Sequence, residues 1–113
     1  MLVAVVVARG ADTRTPLQIF GRKITEFREV CYNLTGYKIE VNDNVFKLSS
    51  MFAESEGDCL MFQKDTNSAM QFLETDFSKA VPHIINRYLR RSNSIPAILS
   101  SLTLELYEKQ TFL

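Results

Sequence analysis

Arg87, Arg90 and Arg91 are the residues of this chain whose type and spacing best suit chemistry with a partner. Helical steps of three and four bring the guanidinium groups toward one side, where they form a fork for a phosphate or an acidic peptide. Cations near a helix C-terminus are also simply solvated and favoured by the helix dipole. Thr111, near the end of Y-E-K-Q-T-F-L, is a candidate phosphorylation site on an exposed tail, where a phosphate adds roughly −1.5 to −2 charge. Residues for catalysis are scarce. The single histidine, His83, follows Pro82 near a helix start and reads as a surface or cap residue with no nucleophile motif nearby. Glu54, Glu56, Asp58, Glu74 and Asp76 fall in turn-like segments and read as solvated loops rather than acid–base pairs. No phosphate loop, dinucleotide fingerprint or zinc-ligand spacing is present, so no cofactor or metal is expected. Cys31 and Cys59 sit inside apolar-periodic segments and read as small buried residues in a reducing compartment.

The elements that must position these groups begin with a helix. Leu17, Phe20, Ile24, Phe27, Cys31 and Leu34 are spaced 3, 4, 3, 4, 3, the a/d spacing of a two-stranded coiled coil. They are the candidate homodimer interface. Pro16 suits the start of this helix, Gly21 weakens it, and Arg22 and Glu26 lie one turn apart. Thr35-Gly36 stops it, because glycine reaches the left-handed conformation without a Cβ clash. Tyr37, Ile39 and Val41 then alternate with Lys38 and Glu40, so a stalk runs straight into a sheet.

Strands are predicted over 37–41, 45–50, 59–63 and 69–73, with polar turns between them, as an antiparallel meander. Phe77, Val81, Ile84, Ile85 and Tyr88 form one helical stripe, with Pro82 tolerable only if the helix begins at about Lys79 to Val81. Ser94 suits the N-cap of a last helix that buries Ile95, Ile98, Leu99, Leu102 and Leu106, while Leu104 points elsewhere. The order is α-β-β-β-(β)-α-α, an α+β class. The expected division is a leader over 1–16 that is disordered, a coiled-coil helix over 17–34 and a head domain over 35–113.

Composition narrows the function. The chain has 113 residues, enough for one core, and a formal net charge of +0. Neither a nucleic-acid binder nor an anionic-membrane binder is expected, since both need clustered positive charge. The apolar run Leu2 to Ala8 is too short to span a bilayer and lacks the flanks of a secretory signal. A cytoplasmic or nuclear location is expected.

Four stretches carry a resemblance: E-F-R-E-V-C-Y-N-L-T-G-Y-K-I from Glu26, G-D-C-L-M-F from Gly57, L-E-T-D-F-S from Leu73, and L-R-R-S-N-S-I-P-A-I-L-S-S-L-T-L-E-L from Leu89. In them the chain resembles the C-terminal domain of the mitotic-arrest-deficient-one family, the coiled-coil scaffolds of the spindle assembly checkpoint. The resemblance implies a homodimer with a helical stalk and an RWD-like head. It implies targeting to kinetochores in the nucleus (and the nuclear envelope in interphase for full-length members). It also implies binding of phosphorylated segments of the Bub-type checkpoint kinase and of the anaphase-promoting-complex activator, by scaffolding and not catalysis. Thr111 matches a family threonine modified by the checkpoint kinase. The family's Arg-Leu-Lys stalk motif is replaced here by Thr15, Pro16 and Leu17, which puts that kinase contact in question. The closed-conformer checkpoint partner is not expected to bind, since its segment lies upstream in the family. Two other readings share the head: a generic RWD-type adaptor, and a ubiquitin-conjugating enzyme. The second lacks its His-Pro-Asn element, since Pro82-His83 follows both cysteines.

Overall fold

A computed structural model describes residues 13–111. The apolar run Leu2 to Ala8 and most of the expected leader lie outside the described residues. Helix α1 spans Pro16–Thr35. Thr15 caps it: the threonine hydroxyl accepts from the Gln18 N–H at 3.2 Å, and the Gln18 side chain accepts from the Thr15 N–H at 2.8 Å. The expected Arg22–Glu26 pair is present at 4.0 Å, joined by Lys23–Glu26 at 3.1 Å. At its other end Gly36 takes φ 82°, and its N–H bonds the Tyr32 carbonyl at 2.8 Å. A Cβ on Gly36 would meet Met51 at an ordinary 3.6 Å, so conformation and not space makes glycine the suitable residue.

Four strands follow: β1 (Tyr37–Asn42), β2 (Val45–Ser50), β3 (Leu60–Lys64) and β4 (Met70–Leu73). They pair antiparallel in sequence order, the meander that the turn chemistry predicts. The two residues Asp43 and Asn44 join β1 to β2, with Asp43 at φ 54°. The register places Ile39 opposite Leu48 and Val41 opposite Phe46. Leu48 lies opposite Leu60, and Phe46 opposite Phe62, so one face of the sheet is continuously apolar.

The helices cover that face. Here the single predicted helix over the 77–88 stripe is corrected. Val81, which the following proline keeps out of the helical region, takes φ −125° and ψ 52°, and this divides α2 (Asp76–Lys79) from α3 (Pro82–Ile85). Asn86–Arg91 then winds more widely, as a π-helix. The stripe itself is buried as expected, with Val81, Ile84 and Ile85 in the core and Phe77 and Tyr88 against it. Ser94 caps α4 (Ile95–Thr111), its hydroxyl accepting from the Ala97 N–H at 3.2 Å. Ile98, Leu102 and Leu106 of α4 meet Leu60 and Phe62 of the sheet in the core. Leu104 is exposed, again as the spacing predicts.

Tyr37 fastens the sheet to α4. Its ring is buried, and its hydroxyl donates to the Leu99 carbonyl at 2.7 Å and accepts from Thr103 at 3.2 Å. Burial raises the Tyr37 pKa above the usual value of 10.0, partly offset by the Thr103 bond.

The glycine within α1 and the glycine that ends it predict opposite outcomes. Gly21 has nothing within 4 Å of a built Cβ. Gly21→Ala should raise stability by about 0.5–1 kcal/mol, and Gly36→Ala should lower it by about 1–2 kcal/mol, both read by urea denaturation. Tyr37→Phe should cost about 1 kcal/mol, the net worth of one buried hydrogen bond. Because the folded pKa is raised, the Tyr37 contribution is whole below the unfolded value near 10.0 and is lost as pH rises through the folded one. Stability of the wild type should therefore fall more steeply above that pH than stability of Tyr37→Phe.

Candidate functional site

The apolar seam of α1 is poorly covered by the other described residues. Leu17, Phe27 and Leu34 are 80%, 69% and 81% exposed. Phe20 and Ile24 are also exposed, and Cys31 is half-buried. Large apolar side chains at this exposure and this spacing are what a partner helix covers. The buried side chain of α1 is instead Ile19, which lies off the seam and which the spacing did not single out.

The structure adds a second set of residues to this surface. The apolar face of the sheet runs past the end of its helical cover, and Ile39 and Val41 of β1 remain exposed. A cleft of about 200 Å³ brings Ile24, Phe27 and Cys31 of α1 together with Ile39 and Val41. A larger groove of about 580 Å³ continues from Leu34 past Ile39 to Leu99 and Leu104 of α4. Seam, strand and last helix thus form one apolar surface. The strand alternation marked Ile39 and Val41 as apolar. Only packing shows that no helix among the described residues covers them.

The arginine cluster is divided. Arg87 lies over the Tyr88 ring, 5.4 Å from its centroid. Arg90 lines a cavity of about 480 Å³ with Lys79 of α2, and neither Arg87 nor Arg91 lines it. Lys79, ahead of Pro82 in the chain, escaped the sequence reading because it lies eleven positions from Arg90. His83 is exposed, with Nε2 bonded to Glu105 at 2.6 Å between α3 and α4, which fits its reading as a surface residue. Cys59 is buried and Cys31 half-buried, both as free thiols. Thr111 is exposed in the last turn of α4, so the tail expected there is still helical. A phosphate at that position would meet the partial negative charge of the helix C-terminus.

No helix among the described residues is long and apolar enough to cross a membrane. Among the described residues no group of three or more His, Cys, Asp or Glu is placed to hold a metal ion.

Comparison with known proteins agrees with the quoted motifs. Residues 12–111 match the family described as "Mitotic checkpoint protein" (MAD). The chain is 52% identical over 97 residues to the human mitotic spindle assembly checkpoint protein MAD1, an alignment covering 83% of this chain. It is 34% identical over 97 residues, 82% of the chain, to the spindle assembly checkpoint component MAD1 of Yarrowia lipolytica. Over 104 residues it is 28% identical to the mitotic spindle checkpoint protein MAD1 of Arabidopsis thaliana. In each case the alignment takes in 14% of the relative's own length. With the family matched across α1, the sheet and α4, and with relatives from human to plant, the chain belongs to the MAD1 family of mitotic spindle assembly checkpoint proteins.

Proposed function

We propose that this chain is a non-enzymatic scaffolding domain of the spindle assembly checkpoint that works as a homodimer at kinetochores in the nucleus. The observation that carries the reading is the uncovered apolar surface running from Leu17 to Leu34 and on to Ile39 and Leu104. A second copy of the same chain is the occupant it fits. The a/d spacing of the seam is self-complementary across a two-fold axis, and the groove is continuous with that seam. Each fully covered side chain of this size contributes about 1.5–3 kcal/mol, so the stalk and the head edge together supply more than the stalk alone.

Two heads held side by side suit a scaffold, because linked sites convert a second binding event into an intramolecular one. The partners that fit the family reading are phosphorylated segments of the Bub-type checkpoint kinase and of the anaphase-promoting-complex activator. The exposed cations of the π-helical segment support that reading by their charge.

Light scattering tests the dimer. The wild-type chain should have twice the 12.9 kDa mass of one copy. Phe27→Asp should return the mass to that of a monomer, since it places a charge in the seam. Phe27 is exposed within one copy, so its circular dichroism should be unchanged. A wild type that stays monomeric at high concentration would remove the reading. Leu104→Asp should weaken the dimer with Phe27 intact, and an unchanged dissociation constant would confine the interface to α1. A kinase segment captured equally with and without its phosphate would point instead to a generic adaptor.

A further inference from the structure

One buried side chain of α1 has no place in the head. Ile19 is only 4% exposed, yet among the described residues the apolar core does not include it. The cleft in which β1 meets α1 is lined on the helix by Ile24, Phe27, Arg28 and Cys31, so it stops short of Ile19. A side chain buried this far touches about 6–12 other residues, more than one exposed helix offers. Leu17 and Phe27 are flanked by turns of the same helix and stay 80% and 69% exposed. Lys23, one turn after Ile19, is half-buried, and the other residues from Pro16 to Val30 are exposed. Helical spacing sets Val30 on the same side as Ile19, and it is 52% exposed. The cover on this side is therefore confined to the first two turns of α1.

Two parts of the chain lie outside the described residues. Phe112 and Leu113 follow α4, where the Gln110 side chain donates to the Phe52 carbonyl at 2.9 Å. The Met51 N–H, beside Phe52, bonds the Gly36 carbonyl at 2.7 Å. Gly36 stands about 25 Å along the helix axis from Ile19, so the C-terminus is at the wrong end. Residues 1–12 are at the right one, and they carry the apolar run Leu2 to Ala8. Seven residues separate Ala8 from Pro16. Seven extended residues span about 25 Å, whereas Ile19 lies about 5 Å along the helix from Pro16. The run is within reach, and its side chains are aliphatic and uncharged throughout.

We propose that the run from Leu2 to Ala8 is an intramolecular strap, packed on Ile19 and the stem of Lys23 across the first two turns of α1. Lys23 keeps its ammonium in water, paired with Glu26 at 3.1 Å, while its methylenes lie under the strap. The strap lies off the seam, so Leu17 and Phe20 stay open to a second copy. It goes beyond the dimer reading and does not depend on it. Its role follows from where α1 is weak. An isolated helix of this length is marginal, and Gly21, two positions after Ile19, weakens this stretch further. Covering Ile19 holds the outer turns of the helix, which the head does not reach.

The test is methyl NMR of the full chain, labelled at Ile, Leu and Val. Ile19 Cδ1 should show nuclear Overhauser contacts to methyls of residues 2–8. A mixed sample of labelled and unlabelled chains, read with an isotope filter, should give none of these contacts between copies. Val5→Asp with Val6→Asp should speed amide hydrogen exchange at Lys23 by about tenfold or more. Adjacent residues point different ways in a strand or a helix, so the pair reaches the packed face in either form. Exchange at Leu60 and Ile98 should be unchanged, which shows that the head stays folded. Absence of contacts to residues 2–8, contacts only between copies, or unchanged exchange at Lys23 in the double variant would each overturn the strap.

Discussion

The Tyr37 side chain holds the helix, the sheet and the last helix in one arrangement. It is the first residue after the left-handed turn at Gly36, so its position is set by how α1 ends. Its ring is buried, and its hydroxyl reaches the Leu99 carbonyl 62 positions away. A buried hydroxyl without a partner is expensive. The bond to Leu99 and the bond from Thr103 therefore fix α4 against the start of β1, and with it the groove between them. Movement of α1 relative to the head would have to pass through this residue.

The rest of the head follows from covering half a sheet. Ile98, Leu102 and Leu106 lie on one side of α4 and close the core over Leu60 and Phe62. That cover stops short of the β1–β2 hairpin. Ile39 and Val41 therefore present the same apolar face to the outside that Leu48 presents to the core. A chain of this size could have shielded two β-branched residues with a slightly longer helix layer. Leaving them open, next to an open seam, is consistent with a surface that is finished by association and not within one copy.

The polar features divide along the same lines. Capping at Thr15, Thr75 and Ser94 uses short side chains to satisfy helix ends locally, and it leaves those hydroxyls engaged. The long cations are left free of such duties. Arg87 rests on Tyr88, while Arg90 and Lys79 face a common cavity from two different elements. An arginine triplet in the chain is thus parted, and Arg90 shares its cavity with Lys79 from beyond the break before Pro82.

Much of this molecule was legible in its residues alone. The seam of α1, the Gly36 stop, the four strands, the Ser94 cap and the outward Leu104 rest on contacts within a few positions, where periodicity and turn chemistry act. The family was legible for a related reason, since the stretch from Leu89 that carries the resemblance runs through the end of the π-helix and most of α4. The tertiary structure alone decided three things. It split the stripe from Phe77 to Tyr88 into α2, α3 and a π-helix, through the restriction that Pro82 places on Val81. It joined Ile39 and Val41 to the seam, because only packing shows which half of an alternating strand stays uncovered. It paired Arg90 with Lys79 and parted it from Arg87 and Arg91, since which side chains share a cavity depends on how distant elements pack and not on their spacing along one helix.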